Sequence, residues 1–286
     1  MGVSWLDLDM RSASIAAAAL VGVAVAVRPA RRRWSDLVAA GAVEAALVCA
    51  LFALWQLANS VAHHHVAGGL ANGQWVWHAE RWLHVPSETT LQGFLLPHST
   101  VVRASNYYYA TAHLTGMAVF LVWLWLRHRD RYPAWRNTVA IFTGISLLIE
   151  MIPVAPPRLI GGTGMIDTAM AYGQSVYAFV GTDIADQYAA MPSIHVGWAV
   201  LIAIACYTCS TSRWRYLGVV HGVLTCFVVV ATANHYWFDG VGAGVVLAFA
   251  WVAQRALAKA TARWRPQAVP AQVLVTASPE PTPSTS

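Results

Sequence analysis

The chain has 286 residues, 57% of them hydrophobic and 11% charged, with a mean hydropathy of +0.50. Soluble domains carry about 25% charged residues, so this balance excludes an ordinary soluble globule and points to a bilayer. The formal charge of +5 does not mark a nucleic-acid binder, because the 18 basic residues sit in short clusters between apolar runs, with no aromatic-interleaved stripe.

Seven apolar segments follow in chain order: Ser12 to Val27, Leu37 to Ala58, Tyr107 to Leu126, Thr138 to Ala155, Met191 to Cys209, Tyr216 to Ala233 and Gly240 to Ala258. The first is short and alanine-rich. Its arginines follow the apolar stretch, against the order of a signal peptide, so it reads as a retained span. Residues 59–105 form a long outer segment in which Trp75, Trp77, Trp82, Leu83 and Leu91 suggest amphipathic helices at headgroup level. Within it His63, His64 and His65 read as a solvated run, since adjacent residues do not point together on a helix; metal binding is the more distant alternative. Glu80 and Glu88 read as surface acids with a gating role open, and Glu150 should face the bundle interior. Pro156 to Ala190 is a glycine-containing outer loop with the character of a lid. The four cysteines (Cys49, Cys206, Cys209, Cys226) fall in apolar segments and read as small buried hydrophobes, and Pro266 to Ser286 reads as a disordered tail. The chain thus divides into a first span with a basic loop (1–36), a transmembrane domain (37–258) and a cytoplasmic tail (259–286).

Charge orients the bundle. Arg28 and Arg31 to Arg33, Arg127 to Arg136, Arg213 and Arg215, and Arg255 to Arg265 all fall on one face when seven spans are threaded. Only Arg11, Arg81, Arg103 and Arg158 fall on the other. The crowded face should be cytoplasmic. The same threading gathers His195, His235, Asp239 and Arg158 on the outer face of the cell membrane.

Those residues lie in two strings, Met191-Pro-Ser-Ile-His195 and His235-Tyr-Trp-Phe-Asp239, each at the edge of an apolar segment where an ionisable group is expensive to keep. Two histidines and an aspartate at matching helix ends supply a nucleophile, its orienter and a proton donor, a set that transfers phosphoryl groups without metal or cofactor. Pro192-Ser-Ile-His195 resembles the second signature of the type 2 phosphatidic acid phosphatase (PAP2) superfamily, and His235-x-x-x-Asp239 the third. The fuller strings, with Asn106-Tyr-Tyr-Tyr109-Ala-Thr-Ala-His113 and Ala155-Pro-Pro-Arg158, look most like its inositolphosphotransferase branch, which includes the inositol phosphorylceramide synthases. The resemblance runs from about Leu37 to Ala258.

It implies an all-α integral membrane protein with a six-helix transmembrane core, here preceded by one further span. It further implies a lipid phosphatase or phosphotransferase in which His235 attacks phosphorus, Asp239 holds its ring, and His195 moves the proton. Arg158 would neutralise phosphoryl oxygens, with Ser193 and the first amides of its helix as further donors. Tyr109 and His113 stand one turn apart, as catalytic support or as polar packing; Asn106 is similar, with capping as the alternative. The superfamily's first signature has a lysine where Met151 stands, and its third has Ser-Arg at Val228-Val229. The fewer cations favour the transferase-like branch. A lipid-phosphate substrate is expected, and a non-catalytic lipid-binding or transport protein of the same fold is the alternative.

Overall fold

The structure, a computed structural model, describes residues 9–30, 33–63, 65–174 and 187–263. Among them the chain forms ten α-helices and no strand: α1 (Met10–Val27), α2 (Arg33–His63), α3 (Val66–Trp82), α4 (Glu88–Leu95), α5 (Ser99–Arg127), α6 (Tyr132–Ile149), α7 (Thr168–Ala171), α8 (Ile194–Cys209), α9 (Arg215–Ala231) and α10 (Trp237–Arg263). Four stretches are long and apolar enough to cross a membrane: Met10–Val27, Trp34–Ala62, Ser99–Arg127 and Trp237–Ala262. The apolar helices Ile194–Cys209 and Arg215–Ala231 are shorter. Val119, Val122 and Leu126 on α5, and Val245, Phe249 and Val252 on α10, are exposed, as side chains are when hydrocarbon is the solvent.

Every apolar segment read from the sequence contains a helix, and the bounds differ most for α5 and α6. Helix α5 starts at Ser99, eight residues ahead of the apolar run, because its first turns pack against α4 and α7 rather than in hydrocarbon. Helix α6 ends at Ile149, short of Ala155. Pro153, Pro156 and Pro157 cannot donate to a helical ladder, and the chain turns into an extended stretch in which Val154 pairs in parallel with Ala189.

Five helices share one core. Phe120 and Leu124 of α5, Trp135 and Phe142 of α6, Leu201 and Ile202 of α8, Val229 of α9 and Leu247 of α10 are buried together. In a bilayer, association rests on close packing and on small residues that let backbones approach. Gly218 and Gly222 stand on the α9 face toward α8; a Cβ on Gly218 would lie 2.7 Å from Cys206 Cβ, and one on Gly222 3.2 Å from Ala203 Cβ. At Gly197 a Cβ would meet the Phe142 ring at 1.9 Å, so α8 crosses α6 at backbone distance. Trp198 Nε1 donates to Thr143 Oγ1 across the same crossing at 2.9 Å. Helix α1 stands apart: it packs on α2 through Ala24, Ala39 and Ala42, and α2 joins α6, where Tyr132 and Arg136 both bond Glu44.

The basic turns collect at one end. Arg28 and Arg136 line one cavity with Asp36 and Glu44, and Arg131 Nη1 donates to Thr208 O at the finish of α8. His195 is at the other end of that helix.

Candidate functional site

Helix α9 stops at Ala231, and Ala233 takes a left-handed turn with φ of 58° that costs a non-glycine residue roughly 1–2 kcal/mol. The turn is held by Ala233 N–H on Val230 O and by the Asn234 and His235 amides on Val229 O. It points His235 into the protein, 3% exposed, just ahead of α10. His235 Nδ1 lies 2.9 Å from Ala190 O and 3.1 Å from Asp239 Oδ2. A carbonyl only accepts, so Nδ1 carries the proton and Nε2 the lone pair. Nε2 is buried without a hydrogen-bond partner among the described residues. Asp239 Oδ2 also accepts the Tyr236 N–H at 2.8 Å, which ties the carboxylate to the first turn of α10.

Ser193 caps α8: its Oγ accepts Val196 N–H at 3.2 Å, and its own N–H donates to Asp239 O at 3.2 Å. Two helix amino ends therefore meet, a ready anion-binding arrangement. His195, in the first turn of α8, has its ring 5.5 Å from that of His235. Tyr109 stacks on His195 at 4.5 Å, and the His113 ring lies tilted against it at 4.2 Å. His113 Nδ1 turns back to Tyr109 O at 3.2 Å. The histidine, aspartate and tyrosine positions read from sequence thus converge at one end of the bundle.

Arg158 lies beside them in the loop between α6 and α8. Its N–H donates to Ala233 O at 3.1 Å, its Nη1 to Asn234 Oδ1 at 2.5 Å, and its Nε pairs with Asp167 Oδ2 at 3.2 Å. A phosphoryl group would compete with Asp167 for this guanidinium. Asn106 does not cap α5: it lies two turns inside, accepting from Thr168 Oγ1 at 2.8 Å and donating to Gln174 at 3.1 Å. It fastens this loop to the bundle. Arg103 serves the same loop, its guanidinium over the Tyr172 ring at 5.0 Å.

Glu80 and Glu88 are not surface acids; both are wholly buried behind the site. Glu80 Oε1 accepts Phe238 N–H at 2.7 Å, and Arg81 Nη1 binds Glu88 Oε2 at 3.0 Å. Burial, followed by Glu88 close by, pushes the Glu80 carboxyl up to about 9. Burial, then the neighbouring Asp239, Glu80 and Glu88 carboxyl groups, raises the Tyr236 phenol, whose hydroxyl donates to Ala155 O at 2.9 Å. Sequence reasoning missed this layer and the anchors Asn234 and Asp167. Asn234 stood beside His235 in the motif, but nothing in the pattern gave α3 and α4 a place behind α10.

Glu150 is buried at the end of α6, as its place in an apolar segment required. The cysteines are free and half-buried. His63 and His64 side chains, residues 175–186 of the loop and the tail from 264 onward lie outside the described residues. His65 is exposed, its Nδ1 2.9 Å from Val61 O, and among the described residues no cluster of metal-ligating side chains is found.

The family described as the PAP2 superfamily matches residues 74–254, from the middle of α3 to near the end of α10. That span holds every site residue named above and leaves α1 and α2 outside, a later start than the Leu37 expected from the motifs. No curated protein and no solved structure gives a significant match. With its all-helical fold, four helices long enough to cross a bilayer and this match over more than half its length, the chain is a multi-pass membrane protein belonging to the PAP2 superfamily.

Proposed function

We propose that the chain is a lipid phosphatase or phosphotransferase that works through a phosphohistidine on His235, on the extracytoplasmic face of the cell membrane. The observation that carries this reading is the His235 ring: two acceptors hold its Nδ1, its Nε2 is buried without a hydrogen-bond partner among the described residues, and the ring lies 5.5 Å from that of His195. In the first step Nε2 attacks phosphorus and the bond from phosphorus to the lipid oxygen breaks. His195, protonated once the anionic phosphate is bound beside it, gives its proton to the departing oxygen. In the second step water or an alcohol attacks phosphorus, His195 takes its proton, and the phosphorus–nitrogen bond breaks.

Asp239 stabilises the charge on the His235 ring, as the buried aspartate does in a hydrolase triad. Arg158 and the amides at the start of α8 receive the phosphoryl oxygens. The few cations in the pocket, with Met151, Val228 and Val229 where the wider family has polar groups, favour transfer to an alcohol, as in the inositolphosphotransferase branch. The basic turns at the opposite end of the bundle support an outward-facing site, and α2 with α5, α6, α8, α9 and α10 would form the six-helix core, α1 being the added span. Exposed Trp75, Trp82 and Phe94 on α3 and α4 suit these helices to the headgroup layer.

The test incubates purified protein with a panel of labelled lipid phosphates and follows the released headgroup and any modified histidine by mass spectrometry. Wild type should turn over at least one lipid and carry phosphate on His235, and His235→Ala should lose at least about 1,000-fold in kcat. Unchanged turnover in His235→Ala refutes the covalent mechanism. Lipid binding with no turnover in wild type would point instead to a carrier of the same fold.

A further inference from the structure

Three carboxyl groups meet at the amino end of α10. Asp239 is the partner of His235; Glu80 reaches in from α3 and Glu88 from α4, and all three are fully buried. The cations that face them are Arg81, on the same helix as Glu80, and His235 when protonated. Arg81 is already committed: its Nη1 sits on Glu88 at 3.0 Å, its Nη2 on Val85 O at 3.2 Å, and its plane lies over Trp77. It remains 3.7 Å from Glu80 Oε2. With a neutral His235, three ionised carboxylates would leave two uncompensated negative charges in a buried space. Such a cluster takes up a proton instead.

The unpaired atoms say which groups share it. Glu80 Oε2 and Glu88 Oε1 are both buried without a hydrogen-bond partner among the described residues, and one guanidinium brings the two carboxyl groups together: Arg81 lies 3.0 Å from Glu88 Oε2 and 3.7 Å from Glu80 Oε2. Two carboxylates repel; a carboxylic acid facing a carboxylate makes one strong hydrogen bond and satisfies both orphan atoms. Glu80 carries the proton, since Glu88 has the Arg81 guanidinium.

We infer that Glu80 is a positioning residue of the histidine site: as a neutral acid it shares its proton with Glu88 and caps the start of α10, so that Asp239 alone presents negative charge to His235. This rests on the reading of His235 as the reacting group. The cap is the Phe238 N–H bond to Glu80 Oε1, which satisfies an amide that α10 itself cannot pair. One residue on in the same turn is Asp239. A lost cap frees that turn, and with it the carboxylate that holds the His235 ring.

The neutral form also sets a pH limit. Burial and the neighbouring Glu88 and Asp239 hold the Glu80 proton until about pH 9. Above that value Glu80 ionises, the shared hydrogen bond breaks and a second negative charge appears beside Asp239. Function should therefore fail on the alkaline side. The other groups facing Glu80 are Arg81 from α3, Glu88 from α4, Asp239 from α10, and Tyr236 with His235 from the turn before it.

The full chain in lipid bilayers tests this without a known substrate. Infrared spectra at neutral pH should show a protonated carboxyl band that disappears in Glu80→Gln and that wild type loses with a midpoint near pH 9. In histidine labelled with nitrogen-15, the His235 Nδ1–H resonance, identified by its loss in His235→Ala, should keep its position in Glu80→Gln and shift or broaden in Glu80→Ala. It should also move in wild type above about pH 9 and stay in place in Glu80→Gln. No carboxyl band lost in Glu80→Gln, or a pH-independent resonance in wild type, overturns the inference. If Glu80→Ala does not fold, the comparison of wild type with Glu80→Gln decides alone. Turnover in His235→Ala is a separate measurement: it removes the covalent mechanism whatever the carboxyl band shows.

Discussion

At the scale of single residues, the site depends on which nitrogen of His235 holds the proton. Ala190 O and Asp239 Oδ2 are both acceptors, so the ring is fixed as the Nδ1–H tautomer before any substrate arrives. In Asp239→Asn the amide can satisfy Tyr236 N–H but supplies no negative charge to an imidazolium, and its NH2 group can turn against Nδ1–H. We expect a loss in kcat on the order of 1,000-fold, with KM and thermal midpoint nearly unchanged. Steady-state kinetics and an unfolding curve on the same preparation check both halves. A loss confined to KM would mean that Asp239 binds substrate and does not orient the ring. Arg158 illustrates a different lesson: its place next to His235 in space follows from the Ala233 and Asn234 bonds, and in the proposed role a phosphate would have to displace its Asp167 partner.

Among elements, the crossing of α6 and α8 matters most, because α8 brings His195 and α6 leads into the loop bearing Arg158. Phe142 is wholly buried against Gly197, and a side chain there has nowhere to move. Gly197→Val should destabilise the protein by about 1–3 kcal/mol through overpacking. Combining it with Phe142→Ala should recover part of that loss, measured as thermal midpoints in one detergent. No recovery would show that the strain lies elsewhere. The α8–α9 hairpin uses the same device at Gly218 and Gly222, so the two histidine-bearing ends are set by backbone contact rather than by flexible side chains.

For the whole molecule the question is which way the site faces. Trp82 and Met170 are exposed at the site end, while Asp130 and Trp214 are exposed in the turns that carry the arginines. In a background lacking the four native cysteines, Trp82→Cys and Met170→Cys should react with a membrane-impermeant maleimide in intact cells. Asp130→Cys and Trp214→Cys should react only after permeabilisation. The reverse pattern would turn the bundle over and with it the proposed face of catalysis.

The amino-acid order by itself pointed to the solvent and to the residues of the candidate site. Long apolar runs with charges held to the turns leave a bilayer as the fitting environment, and histidines kept at the edges of such runs mark groups retained against a solvation cost. His195, His235 and Asp239 were legible for that reason: each lies in a short local string, and the i, i+4 spacing of His235 and Asp239 is a property of one turn of helix. The buried pair Glu80 and Glu88, the loop-fastening Asn106 and the Asp167 partner of Arg158 were not, because nothing local separates a solvated acid or a capping amide from one buried against a distant element. Those assignments were made by long-range packing, which carried α3 and α4 in behind α10 and turned two apparent surface charges into part of the wall behind His235. Periodicity reports what a segment wants to bury; only the assembled bundle determines which segment it meets.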